Sequence, residues 1–206
     1  MKAHKRTAVL LGVVVVLLVA NIAFAHDWWF WHQHKQTLGI FITAVNSISA
    51  EAARADWYAG FNVMNLPSVT HHSDVSVLDG DFGDTGWGGL AEVITYFDHC
   101  HFINALGGCD QSFPGITHAH VRLNTFYFWE NLNTGTVLDA GRGVFCQEIG
   151  HTFGLAHSPD GCMGKGYFAG LVANEAISNV VTSHSDDDLN AKYGGAPFGD
   201  CDGGCF

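Results

Sequence analysis

The sequence predicts a single α/β domain of the α+β kind, which combines a twisted mixed sheet with helices. The chain has 206 residues, close to the size of one domain. It is 48% hydrophobic and 14% charged, so it holds enough apolar surface to offset the chain entropy lost on folding. Strand-like runs alternate with helical stretches in the order strand, helix, several strands, helix, tail and helix. These observations exclude a disordered or collagen-like chain.

The first half of the domain is predicted to hold one helix among short strands. An apolar, β-branched run over residues 38–45 predicts the first strand. Ser49 can cap a helix that continues through an Ala-rich stretch and closes near Gly60. Further apolar or alternating runs predict short strands over residues 61–66 and 74–78.

The second half is predicted to hold two strands, then two helices. A loop rich in Gly and Asp covers residues 79–89, and strands are expected over 90–97 and 118–124. An apolar stretch over residues 144–155 reads as a helix deep in the chain. A last short helix is predicted to begin at Ser185, which is followed by three aspartates, and to end near Gly194.

Residues 1–25 have the pattern of a secretory signal peptide. A basic start is followed by an apolar run, and Ala23-Phe24-Ala25 provides a small-x-small cleavage pattern. The other interpretation, an uncleaved membrane anchor, is disfavoured because the apolar run is shorter than the ~20 residues that a span requires. We therefore expect a secreted domain of residues 26–206, beginning at His26.

The charge of that domain disfavours some partners. The whole chain has a formal net charge of −11, and the first 25 residues hold three of its nine basic residues and no acid. The remainder carries 6 basic and 20 acidic residues, a net charge of −14. Such a charge disfavours nucleic acid and anionic membrane as partners.

Six cysteines suggest three disulfides in an exported protein. Proximity along the chain favours the pairs Cys100–Cys109, Cys146–Cys162 and Cys201–Cys205, although six cysteines allow 15 connectivities. Free buried thiols would be expected instead in a cytosolic protein.

The chemistry of the chain is concentrated between residues 147 and 163. Gln147 and His151 are four residues apart, so on a helix they share one face, and Glu148 lies beside them. Gly154 can adopt a positive φ and turn the chain, which brings His157 back toward the pair. Two imidazoles and an amide oxygen converging beside a carboxylate suit a catalytic Zn²⁺ with an open water position.

This stretch resembles the elongated zinc motif of the metzincin metallopeptidases, H-E-x-x-H-x-x-G-x-x-H, and looks most like the matrixin branch, in which a Ser such as Ser158 often follows the third His. Met163 lies where the family places its Met-turn. The order of elements is similar over roughly residues 36–194, but only residues 147–163 carry specific motif positions.

The resemblance implies a secreted zinc-dependent endopeptidase that hydrolyses peptide bonds through a metal-activated water. His151, His157 and Gln147 would be the metal ligands, Glu148 the general base and Met163 the support beneath the metal. The substrate would be a peptide or protein bound extended along the strand at residues 90–97.

One motif position departs from the family, because Gln147 stands where the first His is expected. Gln147 can ligate through its amide oxygen, another side chain such as Asp160 or a strand His can replace it, or the metal can be lost. The last case gives the alternative function, an inactive pseudoprotease that binds extracellular peptides or proteins. The retained Glu148 favours activity. An ordinary amphipathic helix or a structural zinc site with a cysteine ligand fits the pattern less well.

A second metal site is suggested by the loop at residues 79–89. Asp79, Asp81 and Asp84 could supply oxygen ligands to Ca²⁺, which matrixins often hold as a structural ion. A solvated acidic turn is the simpler interpretation, since the spacing matches no EF-hand.

Overall fold

The computed structural model describes a mixed α/β domain. The described residues are 32–33, 37–60, 64–71, 73–103, 109–127, 132–136, 139–158, 161–164 and 181–193. The elements in chain order are β1 (His32–Gln33), β2 (Ile40–Ile42), α1 (Ser47–Gly60), β3 (Val75–Gly80), β4 (Gly89–Ile103), β5 (Cys109–Asn124), a 3₁₀ turn (Thr125–Tyr127), α2 (Ala140–Thr152) and α3 (Ser183–Tyr193).

The strands form one mixed sheet around β5. Strands β1 and β3 both pair with β5 in parallel, β2 pairs with β3 in parallel, and β4 pairs with β5 antiparallel. Because residues 119–123 pair with both β3 and β4, those two strands lie on opposite edges of β5. This mixed sheet with its helices confirms the predicted α+β class.

The helices α1 and α2 pack on each other, and α2 also packs against β4 and β5. Buried hydrophobic side chains from both helices and from β2, β3 and β5 form one core. Its largest fully buried members are Trp57, Phe145 and Phe153. Trp57 also donates a 2.8 Å hydrogen bond from Nε1 to the Cys146 carbonyl, which satisfies its indole N–H inside the core. The core therefore links α1 directly to the helix that carries the motif.

The start of α1 differs from the prediction. The helix begins at Ser47, and Ser49 lies inside its first turn rather than at the cap. The N–H groups of Ile48 and Ser49 donate hydrogen bonds to Asn133 Oδ1, at 2.8 and 3.4 Å. The buried Ser49 hydroxyl donates to Asp139 instead. A side chain 84 residues away thus replaces the expected local cap, which local sequence cannot reveal.

The predicted strands are present with different lengths. The first is shorter than residues 38–45, and β3 extends to Gly80, into the predicted loop. In 64–66, the described part of the predicted strand 61–66, only an isolated bridge from Asn65 to Thr37 occurs. Strands β4 and β5 are much longer than predicted because their backbones pair along most of their length, including polar stretches that show no apolar pattern.

No helix in the described ranges is long and apolar enough to cross a bilayer. Residues 1–31 fall outside the described part of the chain, so the predicted signal peptide and the boundary at residue 26 stay predictions.

Candidate active site

The helix α2 is held at both ends, which places the motif. Asp139 caps its start by accepting from the N–H of Arg142 at 3.0 Å, and Gly154 ends it with a φ of +76°. Every residue of α2 except Arg142 is buried. Because φ near +76° is open to glycine at no steric cost, Gly154 turns the chain as the spacing predicted.

The two histidines of the motif come together. The ring centroids of His151 and His157 lie 4.9 Å apart, with His151 buried and His157 exposed. His151 Nδ1 is 2.7 Å from the Leu155 carbonyl, which can only accept, so Nδ1 carries the proton and Nε2 keeps its lone pair. Burial lowers the pKa of His151 to about 4. The imidazole is therefore neutral at physiological pH and can ligate a cation.

Gln147 lies one turn before His151 on the same helix and is buried. Its Nε2 donates a 3.2 Å hydrogen bond to the Gly164 carbonyl. With the amide nitrogen engaged there, Oε1 is the atom that remains to act as a ligand.

Glu148 is buried between α2 and the start of β4. A Cβ atom built on Gly89 would lie 2.6 Å from Glu148 Oε1 and 2.7 Å from its Cγ, so the side chain occupies the space that any other residue at 89 would fill. Burial raises the pKa of Glu148 to about 8, while a hydrogen bond from the Ala91 backbone acts in the opposite direction. The carboxyl group thus lies directly beside the start of β4, where burial favours its protonated form.

Met163 lies beneath the helix. Its Sδ would be 2.3 Å from a Cβ built on Gly150, so the thioether fills the space left by that glycine. The N–H of Ser158 donates to the Met163 carbonyl at 2.7 Å, which closes the loop after His157. The Met-turn predicted at Met163 and its support of a metal both stay predictions.

The disulfide Cys146–Cys162 is present, as predicted, and joins α2 to the loop that carries Met163. The side chains of Cys100 and Cys109 and all of Cys201 and Cys205 lie outside the described part, so those two pairings stay predictions.

The three aspartates of the suggested calcium site have separate partners. Asp79 accepts from the N–H groups of Val45 and Asn46, at 2.7 and 2.9 Å. Asp81 accepts from Gly83, and Asp84 accepts from the hydroxyl of Tyr127. Each carboxylate thus accepts hydrogen bonds from its own protein donors, and the calcium site stays a prediction.

Among the described residues, no three His, Cys, Asp or Glu side chains form a group that could hold a metal ion. The candidate ligands in the motif are therefore the two imidazoles of His151 and His157 and the side-chain amide of Gln147. Asp160, the suggested replacement ligand, lies outside the described part.

The sequence did not predict three residues that contact the motif helix. Gly89 and Ala91 lie beside Glu148, and Gln33 of β1 bonds to Thr152 at the end of α2. The pair Gly88-Gly89 before an apolar run was a usable signal for close backbone approach. No local pattern marks Ala91 or Gln33, because their contacts span long sequence distances.

Comparison with protein families gives a match over this part of the chain. Residues 128–186 match Metallopep, described as a putative peptidase family, and this range contains α2, His157 and Met163. No curated protein matches the chain significantly. This match supports a metallopeptidase-like protein, without distinguishing a metzincin or a matrixin.

Proposed function

We propose that the protein is a zinc-dependent endopeptidase. The observation that carries this proposal is the convergence of His151 and His157, whose ring centroids lie 4.9 Å apart, together with the buried Glu148 on the same helix as His151. The peptidase family match over the same residues supports the class of reaction.

The donor set fits a zinc ion. His151 offers Nε2, because its Nδ1 is bonded to a carbonyl that orients the ring, a feature common to metal-ligating histidines. His157 offers a second imidazole, and Gln147 offers Oε1 while its nitrogen is held by Gly164. When bound, zinc would acidify a water molecule and polarise the substrate carbonyl.

Glu148 moves the proton in this proposal. It accepts a proton from the attacking water and delivers it to the amine that leaves when the peptide bond breaks. Its burial beside β4 puts the carboxyl next to the place where a substrate backbone would pair with the strand. The raised pKa of Glu148, about 8 without a metal, would fall beside a bound cation, which favours the ionised base.

The proposed substrate is a peptide or protein segment in extended form. Strand β4 is long, pairs with β5 along one edge and begins at Gly89, beside the Glu148 side chain. A peptide adding to its other edge gains main-chain hydrogen bonds without regard to sequence. Nucleic acid is not a proposed partner, because the charge of the chain is negative.

We also propose that the chain is exported. The pattern of residues 1–25 supports this, and so does the disulfide Cys146–Cys162, since disulfides persist mainly in oxidising compartments.

Replacement of Glu148 by Gln tests the proposal directly. The variant keeps the size of the side chain and loses the base, so we expect hydrolysis of casein to disappear while zinc remains bound. The measurements are casein cleavage, with and without a chelator, and the zinc content of the purified protein by elemental analysis.

Wild-type activity should disappear in chelator and return with added zinc. A wild-type protein that binds no zinc and cleaves no casein would instead favour the peptide-binding pseudoprotease suggested by Gln147. Casein cleavage that survives in Glu148→Gln would remove Glu148 from the reaction.

Replacement of Gln147 by His is expected to tighten zinc binding. Imidazole is a better zinc ligand than a neutral amide oxygen, so the dissociation constant measured by chelator competition should fall by about tenfold or more. Gln147→Leu, which keeps the volume without a donor atom, is the control and should weaken binding. Equal affinities for all three proteins would show that residue 147 does not face the metal.

A further inference from the structure

The N-terminal strand β1 reaches the end of the motif helix through one side chain. β1 pairs in parallel with Gly115 and Ile116 of β5. Gln33 in β1 is fully buried, and its Nε2 donates a 2.8 Å hydrogen bond to the carbonyl of Thr152, 119 residues further along the chain. Thr152 is the last residue of α2 and directly follows His151.

The carbonyls at the end of α2 need partners from outside the regular helix pattern. The Ile149 carbonyl accepts from the Thr152 hydroxyl at 2.7 Å, and the Gly150 carbonyl accepts from Phe153 at 3.0 Å. The His151 carbonyl accepts from Gly154 at 2.9 Å. The Thr152 carbonyl receives the Gln33 amide, so a distant strand completes the C-terminal cap of the helix.

This carbonyl belongs to the turn that sets the distance between the two histidines. The turn continues through Gly154 to Leu155, whose carbonyl orients the His151 ring, and then to His157. A buried carbonyl left without a donor is unfavourable, so loss of the amide favours rotation of the peptide toward another partner. Such a rotation would displace Leu155 and His157 together.

We propose that Gln33 is a positioning residue for the metal site. Its side chain fixes the turn between His151 and His157 through a hydrogen bond to Thr152, 119 residues further along the chain. This inference rests on the proposed function, because it assigns Gln33 a role in holding the zinc ligands. It adds a residue that lies far outside the motif and outside residues 128–186, which match the peptidase family.

The test compares wild type with Gln33→Met, which keeps the length of the side chain and removes the donor. Zinc affinity is measured by chelator competition, and the visible absorption of the Co²⁺-substituted protein reports the ligand geometry. We expect zinc affinity to fall by about tenfold to a hundredfold, the usual effect of removing an outer partner of a metal site, and the Co²⁺ spectrum to change.

The matched control is Val75→Ala, which removes core volume in β3 and leaves the Thr152 cap intact. It should lower the melting temperature without changing zinc affinity or the Co²⁺ spectrum. If Gln33→Met does not fold, Gln33→Asn replaces it, because its shorter amide cannot reach the carbonyl and should give the same loss.

The outcomes separate the two proposals. Wild-type protein that binds no zinc overturns the proposed function and this inference with it. Wild-type protein that binds zinc, together with a Gln33 variant of equal affinity and unchanged Co²⁺ spectrum, overturns the role of Gln33 alone. Equal losses in the Gln33 variant and in Val75→Ala would also overturn it, because the effect would then be general destabilisation.

Discussion

Two adjacent side chains on α2 occupy different electrostatic environments. Gln147 is neutral at every pH and holds a carbonyl of the neighbouring loop. Glu148 is titratable and buried, which disfavours its charged form in the absence of a cation. Without a cation the buried Glu148 is therefore held in its neutral form, and this has a measurable effect on stability.

The stability of the metal-free protein should depend on pH through Glu148. The pKa of Glu148 is about 8 in the folded protein against 4.5 for an ordinary exposed glutamate, so the folded state holds the proton more tightly. The stability that Glu148 contributes through its raised pKa is fully present below pH 4.5 and is lost as the pH rises to about 8. We expect metal-free Glu148→Gln to melt higher than wild type near pH 8, by about 5 °C or more.

The comparison also contains its own control. At pH 4 both proteins carry a neutral side chain at this position, so their melting temperatures should agree. The opposite titration of His151, whose pKa is lowered, affects both proteins equally and cancels in the difference. A difference that stays constant across the pH range would contradict the burial of an uncharged Glu148.

At the scale of elements, α2 is buried on nearly all sides, and small residues make this possible. Gly150 faces both the thioether of Met163 and the indole of Trp57, which would lie 2.3 and 2.6 Å from an added Cβ. A helix residue that contacts a loop on one side and another helix on the other leaves no room for a methyl group.

Gly150→Ala is therefore expected to destabilise the protein although alanine favours helix. Overpacking costs about 1–3 kcal/mol, against a propensity gain of about 1 kcal/mol. The free energy of unfolding, measured by denaturant titration, should fall, and zinc should bind more weakly because Met163 is displaced. In Gly80→Ala, the control, the nearest atom lies at 3.4 Å and little change is expected. If Gly150→Ala is more stable than wild type, the loop that carries Met163 can move aside for the added methyl group without a cost in stability.

The sequence predicted the geometry of the motif better than the ends of the helices and strands. The residues from Gln147 to His157 have a helical spacing and a turn glycine, which are local signals, so their convergence could be predicted. The lengths of β4 and β5 could not, because backbone pairing carries both strands through stretches with no apolar pattern. The cap of α1 by Asn133 and that of α2 by Gln33 depend on contacts across 84 and 119 residues, which no local window contains.

At the scale of the whole molecule, the disulfide Cys146–Cys162 ties the core helix to the loop beneath the motif, across a sequence separation of 16. Since the loop also carries Met163 and the Gly164 carbonyl that holds Gln147, its attachment is part of the site as well as of the fold.

Removal of both sulfurs in Cys146→Ala/Cys162→Ala should lower stability by about 3 kcal/mol, the entropy of a loop of this length. The melting temperature should fall by about 6–12 °C under non-reducing conditions. Zinc affinity should fall as well, since the Gly164 carbonyl is less firmly held. If the double variant has the same melting temperature as wild type, the packing of the loop alone holds the loop in place.

The Asp139 carboxylate has a further consequence for the order in which the molecule comes apart. It accepts from Ser49 of α1, from Thr134 and Gly135 of the preceding loop and from Arg142 of α2. Asp56 of α1 and Arg142 add an ion pair between the same helices. Neither helix can fray from its beginning without releasing the other, so on heating the two should melt as one cooperative unit.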